Sequence, residues 1–178
     1  AMPLTVYIAQ SLDGYIADRD GGLDWLHRVS DPDGGDFGFA DFLATIDALV
    51  MGRRTFESVC SFGGEWPYPK PVFVLSRTLE TVPEALADKA QVVSGALPDV
   101  LAVLRRAGHE HLYIDGGQTI QAFLAEDLVD RLIVTTVPTL LGGGTPLFGA
   151  LPAPLGFSLE RSEVLAGALV QSEYQRAR

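Results

Sequence analysis

The stretch that decides the fold is Ile114-Asp115-Gly116-Gly117-Gln118-Thr119-Ile120. A β-prone apolar run ends in its two glycines, and a helical pattern with Ile120, Phe123 and Leu124 on one face follows at once. Backbone amides at such a strand-to-helix junction can bind a pyrophosphate, because the helix N-terminus adds partial positive charge. A simple tight turn would use the same glycines. The spacing differs from Gly-x-Gly-x-x-Gly, so the standard dinucleotide motif is not present.

Short apolar strands alternate with helices along the rest of the chain. Strands are predicted at 4–9, 48–51, 71–75, 91–93, 111–114 and 131–137, and helices near 39–46, 55–60, 98–107 and 118–126. This alternation favours crossover connections and parallel pairing. The last two strands, 157–165 and 168–176, leave no room for a helix between them and predict an antiparallel hairpin. We therefore expect one α/β domain over residues 2–178, with about eight strands in a mostly parallel sheet.

Composition and charge exclude several classes of function. The net charge of −10 argues against a nucleic-acid binder, whose affinity depends on clustered Lys and Arg. No apolar run approaches the ~18 residues of a membrane span, so a soluble, cytoplasmic protein without a membrane partner is expected. Cys60 is the only cysteine, which rules out an internal disulfide, and we expect it to be buried. The aspartates between 18 and 36 lack the closing Glu of a calcium loop, and no metal site is predicted.

Two further segments place glycine, hydroxyl and arginine groups after a strand. Met51-Gly52-Arg53-Arg54-Thr55-Phe56-Glu57 joins a strand to a helix, and Leu75-Ser76-Arg77 ends the next strand. Taken singly, the arginines fit a solvated face and the Ser-Arg pair fits a turn. Open α/β sheets, however, bind ligands beyond the carboxyl ends of their parallel strands. Together with Gly116-Gly117, these segments predict an anion-binding site at that edge.

In this order and spacing, the three segments closely resemble the dihydrofolate reductase fold. The chain resembles more specifically the reductase domain of the bifunctional riboflavin-biosynthesis deaminase–reductase and its stand-alone relatives. Ser11-Leu12-Asp13-Gly14-Tyr15-Ile16-Ala17 and Pro138-Thr139-Leu140-Leu141-Gly142-Gly143-Gly144 support that subgroup. The resemblance implies a three-layer domain that uses NADPH to reduce a (ribosylamino)pyrimidine-like substrate. The chain lacks the His-x-Glu and Pro-Cys-x-x-Cys motifs of the deaminase half, so only the reduction is expected.

The resemblance also implies which residues hold the coenzyme. An arginine fork suits a doubly charged phosphate, which favours NADPH over NADH. The nicotinamide would contact Ala9, Ile16 and Ala17. The phosphates would contact Gly52, Arg53, Arg54 and Thr55, with Ser76 and Arg77 at the ribose 2′-phosphate. The pyrophosphate would contact Gly116, Gly117, Gln118 and Thr119.

The substrate and catalytic residues are implied less directly. Trp25 would form a wall of the substrate site and Thr135 a polar contact at its floor. Folate-reducing relatives carry a carboxylate on the first helix, for which Asp36 and Asp41 are the candidates. The riboflavin-pathway subgroup has an acidic residue directly before Gly-Gly, where this chain has Asp115. Asp13 is a second catalytic candidate, although it also fits an Asp-Gly turn.

Two other functions remain open, namely dihydrofolate reduction and a module that binds NADPH without turnover. The apolar loop over 139–157 is expected to be covered by a second copy of the chain, since homodimers are typical of the family it resembles. Packing of this loop against its own core is the alternative.

Overall fold

One mixed sheet forms the centre of the domain, as seen in a computed structural model that describes residues 3–32, 34–61 and 65–178. The strands in chain order are β1 (Leu4–Ser11), β2 (Tyr15–Ala17), β3 (Ala48–Gly52), β4 (Val72–Leu75), β5 (Ala90–Val93), β6 (Leu112–Asp115), β7 (Arg131–Val137), β8 (Thr145–Pro146), β9 (Phe157–Leu165) and β10 (Leu169–Arg176). The eight-stranded sheet has the order β5-β4-β3-β6-β1-β7-β10-β9.

Helices cover both faces of this sheet. They are α1 (Phe39–Leu43), α2 (Arg53–Ser61), α3 (Leu97–Arg106) and α4 (Gly117–Ala125), with short 3-10 helices at Asp24–Arg28 and Glu84–Leu86. Helices α1 and α2 pack on the face that carries Met51 and Tyr113, here called the α1/α2 face. Helices α3 and α4 pack on the opposite face, which carries Val50 and Ile114. Within the described ranges, no helix combines the length and the apolarity needed to cross a bilayer.

The predicted pairing is confirmed. From β5 to β7 the neighbouring strands of the sheet are parallel, whereas β10 runs antiparallel to β7 and β9 antiparallel to β10. Parallel strands end at the same edge, so the segments that follow β3, β4 and β6 meet there. The register pairs Met51 with Asp115 and Ala9 with Thr135, which brings the four residues to the same end of the α1/α2 face.

A second, two-stranded sheet was not predicted from the sequence. β2 pairs antiparallel with β8 at the end of β1. The Leu147 amide donates to the Gly14 carbonyl at 2.9 Å, and the Leu12 amide donates to the Thr139 carbonyl at 2.9 Å. Because these strands are only three and two residues long, alternation of polar and apolar residues does not reveal them. They join the loop after β1 to the loop after β7.

The structure corrects one expectation about burial and bears in part on a second. Cys60 is exposed, because α2 buries only Phe56, in its first turn, and Cys60 lies near its other end. The apolar loop over 139–157 is divided between the core and the surface: Leu147 is fully buried in the core of its own chain, whereas Leu140 is 70% exposed and Phe148 49%. Part of this loop therefore packs as the alternative predicted, and the homodimer remains a prediction.

Candidate active site

The N-termini of α2 and α4 meet at the carboxyl ends of β3 and β6. A Cβ atom added to Gly52 would lie 2.7 Å from Oγ1 of Thr119, and one added to Gly116 would overlap Oγ1 of Thr55. Each glycine thus lies against a threonine in the first turn of the other helix. The first amides of both helices have no acceptor within their own helix and carry partial positive charge. The two junctions together can bind an anionic group between them.

Gly116 is required at this junction for two reasons. Its φ of 96° is unfavourable for a residue with a side chain, and a Cβ would overlap Thr55. We expect Gly116→Ala to lower the free energy of unfolding by about 3 kcal/mol, measured by urea denaturation. Gly95 has a φ of 123° with open space around its Cβ position, so Gly95→Ala is the matched control and should cost only about 1–2 kcal/mol. Equal losses in the two variants would contradict the close contact.

The arginines of the site differ in their partners. Nη1 of Arg53 donates to Oγ1 of Thr78 at 2.9 Å and Nε donates to Glu57 at 3.2 Å, so this side chain links α2 to the turn after β4. Oγ of Ser76 accepts from the amides of Thr78 and Leu79 and shapes that turn, while its own proton stays available. The links bring the segments after β3 and β4 together, as predicted.

Two guanidinium groups at this edge remain free for a ligand. Arg54 and Arg77 are exposed. In the part of the chain that the structure describes, neither makes an ion pair or a hydrogen bond. Gly52, Gly116 and the three arginines therefore belong to one edge of the sheet, and Arg54 and Arg77 are the cations that an anion there can recruit.

The small sheet of β2 and β8 closes over the first turn of α4. A Cβ on Gly117 would lie 2.7 Å from Cδ1 of Ile16, 3.5 Å from Cγ2 of Thr145 and 3.7 Å from the Pro146 carbonyl oxygen. Ile16 and Ala17 are half-buried here, and Gln118 is exposed in the same helical turn. Ile16 and Gly117, predicted to contact different parts of one coenzyme, are thus neighbours.

Asp13 holds two loops together. Its carboxylate accepts hydrogen bonds from Oγ of Ser11 at 2.6 Å and from the amides of Leu141 at 3.1 Å and Gly142 at 2.8 Å. These bonds, first of all the one from Ser11, lower the pKa of Asp13 to about 2. A carboxylate this acidic is a poor proton donor near neutral pH. These contacts are those of a residue that holds a turn, which is the alternative to a catalytic role that the sequence analysis gave for Asp13.

Asp115 has the opposite electrostatic environment. It lies half-buried at the end of β6, where its Oδ1 accepts from the Gly116 amide at 2.9 Å. Burial raises the pKa of Asp115 to about 6, and the bond from Gly116 offsets part of that rise. The pKa values of Tyr68 and Tyr113 are also raised, mainly by burial and to a smaller extent by the negative charge of Asp115. Asp115 is therefore a carboxyl group that can exchange a proton near neutral pH.

The predicted substrate residues lie on the same α1/α2 face, in three different settings. Thr135 is half-buried, and its hydroxyl accepts from Nε2 of Gln171 at 3.1 Å. Trp25 is 4% exposed and packs with Val137 and Leu169 at the end of the sheet. Asp36 is exposed, and its carboxylate accepts from the amides of Gly38 and Ala40 at the start of α1.

Two polar residues of this face were missed by the sequence reading. The hydroxyl of Tyr7 accepts from Nε2 of Gln171 at 3.2 Å, across 164 positions of sequence. Tyr7 also stacks on Phe42, with ring centroids 4.4 Å apart. Gln171 could have been noticed from alternation alone, because it points to the same face as Leu169, two residues earlier. Its contact with Tyr7 depends on strand order, which a local pattern does not contain.

This arrangement of strand ends, helix N-termini and an acidic residue before Gly-Gly agrees with the family comparison. A family model described as the RibD C-terminal domain matches residues 3–170. The chain belongs to this family. This match confirms the resemblance to the reductase domain of the riboflavin-biosynthesis deaminase–reductase that the three segments carry.

Solved structures extend the comparison within and beyond the RibD C-terminal domain family. The chain is similar to a putative riboflavin biosynthesis protein from Shewanella sp. PV-4, at 52% identity and a TM-score of 0.97, with 99% of this chain and 100% of that one covered. It shares its fold with a deaminase/5-amino-6-(5-phosphoribosylamino)uracil reductase from Thermotoga maritima, at 16% identity and a TM-score of 0.76, over 98% of this chain and 56% of that one.

The dihydrofolate reductase-like fold is confirmed by a further similarity. Dihydrofolate reductase from Enterococcus faecalis, solved in complex with NADP(H) and RAB-propyl, aligns at 19% identity with a TM-score of 0.66, covering 99% of this chain and 97% of that one. An identity this low speaks for the fold alone. The RibD C-terminal domain of this chain therefore has the three-layer architecture that the sequence predicted.

Proposed function

We propose that the chain is an NADPH-dependent reductase that transfers a hydride to a (ribosylamino)pyrimidine-like substrate, in the manner of a 5-amino-6-(5-phosphoribosylamino)uracil reductase. One observation carries the proposal. The helix N-termini behind Gly52 and Gly116 adjoin one another, and Asp115, the residue before Gly116, has its pKa raised to about 6. A phosphate-binding junction thus lies next to a carboxyl group suited to proton transfer.

The described residues fit a dinucleotide that carries a 2′-phosphate. The amides at the starts of α2 and α4 suit the pyrophosphate, and Gly116, which has no Cβ, lets Thr55 of α2 approach the start of α4 closely. Arg77, with Ser76 beside it and Arg54 at the start of α2, suits the additional phosphate that distinguishes NADPH from NADH. The shared fold with an NADP(H)-bound dihydrofolate reductase supports this choice.

The catalytic task of the chain is to position the reactants and to handle one proton. When bound, the reduced nicotinamide supplies the hydride. Ala9, Ile16 and Ala17 would hold that ring next to the acceptor carbon, which removes much of the entropic barrier. In the ring-opened imine form of the ribosylamino group, this carbon carries a C=N bond, whose electron pair would pass to the nitrogen on reduction. We assign the protonation of this nitrogen to Asp115, which becomes a carboxylate.

The two alternative functions have weaker support. Dihydrofolate reduction would need a carboxylate of the first helix beside Thr135, but Asp36 and Asp41 are both exposed, and the Asp36 carboxylate accepts from the amides of Gly38 and Ala40 at the start of α1. A module that only binds NADPH would not need a carboxyl group with a raised pKa next to the coenzyme site. Asp115 therefore favours an enzyme.

We also propose that the enzyme acts as a homodimer in the cytoplasm, on a small heterocyclic substrate rather than on nucleic acid. The exposed side chains of Leu140, Phe148 and Leu151 support the dimer. A soluble chain rarely leaves several large apolar side chains of one loop uncovered.

Turnover assays test the proposed function. The purified protein is mixed with NADPH and either 5-amino-6-(5-phosphoribosylamino)uracil or dihydrofolate, and the loss of reduced nicotinamide absorbance is followed. We expect turnover with the uracil compound and none with dihydrofolate. The same mixtures without protein are the controls. Turnover with dihydrofolate alone would replace the proposal by its first alternative, and NADPH binding without turnover would replace it by the second.

A further inference from the structure

Gln171 is a nearly buried polar side chain that the proposed chemistry has not yet used. It is 4% exposed and pairs with Thr135 on β7 and with Glu163 on β9. Its amide makes three hydrogen bonds on the α1/α2 face: it accepts one from Arg161 and donates to Tyr7 and Thr135. A buried amide with all these groups satisfied is held in one orientation.

Arg161 determines which way this amide points. Nη2 of Arg161 donates to Oε1 of Gln171 at 3.0 Å. A guanidinium group has donors only, so the amide oxygen must face it and the amide nitrogen must face away. Arg161 is itself fixed by Glu163 at 2.8 Å and by Glu173 at 3.4 Å. The two N–H bonds of Gln171 are therefore aimed at Tyr7 and Thr135.

The orientation of Gln171 sets the hydrogen-bonding direction of two hydroxyl groups. Since an amide nitrogen only donates, the hydroxyls of Tyr7 and Thr135 both act as acceptors towards it, at 3.2 and 3.1 Å. Each hydroxyl then has its own proton left for another partner. Neither donates to an acceptor among the residues that the structure describes, and both side chains are half-buried.

We infer that the hydroxyls of Tyr7 and Thr135, oriented by Gln171 and Arg161, donate hydrogen bonds to oxo groups of the substrate ring and so select a dioxopyrimidine over an aminopyrimidine. The inference rests on the proposed function, because it concerns the substrate of that same site. Tyr7 and Thr135 are substrate-binding residues in this scheme. Gln171 and Arg161 are positioning residues, since they act through the two hydroxyls.

The other side of the site complements this pair of donors. Asp115 and Thr135 lie on the same face, on β6 and β7, with β1 between them. Asp115 can accept from ring N–H groups, whereas Tyr7 and Thr135 donate to oxo groups. An aminopyrimidine would instead turn its N–H bonds towards the hydroxyl protons.

A pair of probes that exchange oxo for amino groups, and with them the ring N–H groups of the uracil for bare ring nitrogens, tests the inference by binding, and the variants below isolate the part due to the two hydroxyls. Isothermal titration at pH 8 compares 5,6-diaminouracil with 2,4,5,6-tetraaminopyrimidine, in which amino groups replace both oxo groups, on protein saturated with NADPH. The wild-type chain should bind the uracil at least about tenfold more tightly, as expected for the loss of two donated hydrogen bonds. No preference, a preference for the tetraamine, or no binding of either probe would overturn the inference.

Three variants link any preference to the residues named. Tyr7→Phe keeps the stacking on Phe42 and should reduce the preference by about 3–10-fold. Gln171→Glu keeps the acceptor for Arg161 but takes the hydroxyl protons itself, so the preference should fall at least as far as in Tyr7→Phe. Tyr174→Phe, which removes a tyrosine hydroxyl from the opposite face, is the control and should change nothing. If Gln171→Glu only damaged the structure, the binding of both probes would weaken by the same factor, and that outcome would count against the inference.

The outcome can be separated from that of the proposed function. In steady-state assays, Tyr7→Phe and Gln171→Glu should raise the KM for the uracil substrate and leave the KM for NADPH unchanged. Turnover with an unaltered preference in these variants would leave the reductase standing and remove the inference. A preference that falls in the variants, without any turnover, would support the selection of oxo groups and remove the reductase.

Discussion

Replacing Asp115 by Asn should remove most of the turnover while leaving NADPH binding intact. Asparagine keeps the oxygen that accepts from the Gly116 amide at 2.9 Å, so the strand-to-helix junction should be preserved. It cannot release a proton to the substrate. Loss of a positioned general acid typically costs 10²–10⁴-fold, and we expect kcat to fall by about 10²–10³-fold. Stopped-flow absorbance gives the rate of hydride transfer, and fluorescence titration gives the Kd for NADPH.

The pH dependence of hydride transfer should report the same group. The pKa of Asp115 is about 6, so the protonated form prevails below that pH and the carboxylate above it. If the protonated form acts, the wild-type rate should fall about tenfold per pH unit above pH 6. The residual rate of Asp115→Asn should lose this slope. A slope that persists in the variant would assign the titration to another group.

Asp115→Asn should also be more stable than the wild type in alkaline solution. Its folded pKa of about 6 lies above the ordinary value of 3.8, so the folded state binds the proton more tightly than the unfolded state. The stability that this carboxyl group contributes is therefore complete below about pH 4 and is lost as the pH rises through 6. At pH 8 the variant should gain about 1–2 kcal/mol of unfolding free energy, after allowance for partial exposure.

Asp88→Asn is the matched control for all three measurements, because Asp88 is an exposed aspartate away from the site. It should change neither the rate, nor its pH profile, nor the stability by more than a few tenths of a kcal/mol. A stability gain at pH 8 with full activity would show that Asp115 is buried as described but does not deliver the proton. Loss of NADPH binding would instead make it a structural residue of the junction.

The sequence predicted the sheet well, because its parallel strands are buried on both faces. Such strands are continuous apolar runs, and turn residues mark their ends. The prediction for β7 agrees with its observed bounds, Arg131–Val137. The three segments after β3, β4 and β6 could also be brought to one edge without a structure, since parallel strands end together. That reasoning placed Gly52, Arg77 and Gly116 near each other.

Contacts between distant segments could not be predicted in the same way. β2 and β8 are too short to show a period, and each is held by the other. Asp13 was a catalytic candidate by its place in the first loop, but its hydrogen bonds to Leu141 and Gly142 become apparent only when that loop meets the one after β7. Gln171 and Tyr7 are related in the same way. Local patterns report which face a residue occupies, and the partner on that face depends on strand order.

The electrostatic difference between Asp13 and Asp115 was also beyond the sequence. Each precedes a glycine, and both were candidates for the same task. In the folded chain, donors surround Asp13 and lower its pKa to about 2, whereas burial raises the pKa of Asp115 to about 6. The opposite shifts arise from the number of donors each carboxylate meets and from its access to water. Both quantities are properties of the assembled loops.

Arg77→Ala should weaken the binding of NADPH far more than that of NADH. Arg77 follows β4 at the edge of the sheet where the parallel strands end. It is exposed and forms no ion pair with any residue that the structure describes. Its guanidinium is therefore available to a doubly charged phosphate, and NADH lacks that phosphate. Loss of a charge-assisted hydrogen bond costs about 1.5–3 kcal/mol, which corresponds to a rise of about 10–150-fold in the Kd for NADPH. The Kd for NADH should change less than about threefold.

Arg106→Ala separates this specific contact from a general loss of positive charge. Arg106 is an exposed arginine in the last turn of α3. The chain enters β6 after this turn, so Arg106 lies towards the start of the parallel strands and away from the edge that carries Arg77. Its removal changes the net charge equally, so any effect on both Kd values measures long-range attraction alone. Added salt should shrink that shared part first, because exposed charges are screened beyond about 10 Å. If Arg77→Ala weakened NADPH and NADH by the same factor, the 2′-phosphate would have to be bound elsewhere, and the preference for NADPH would lose its physical basis.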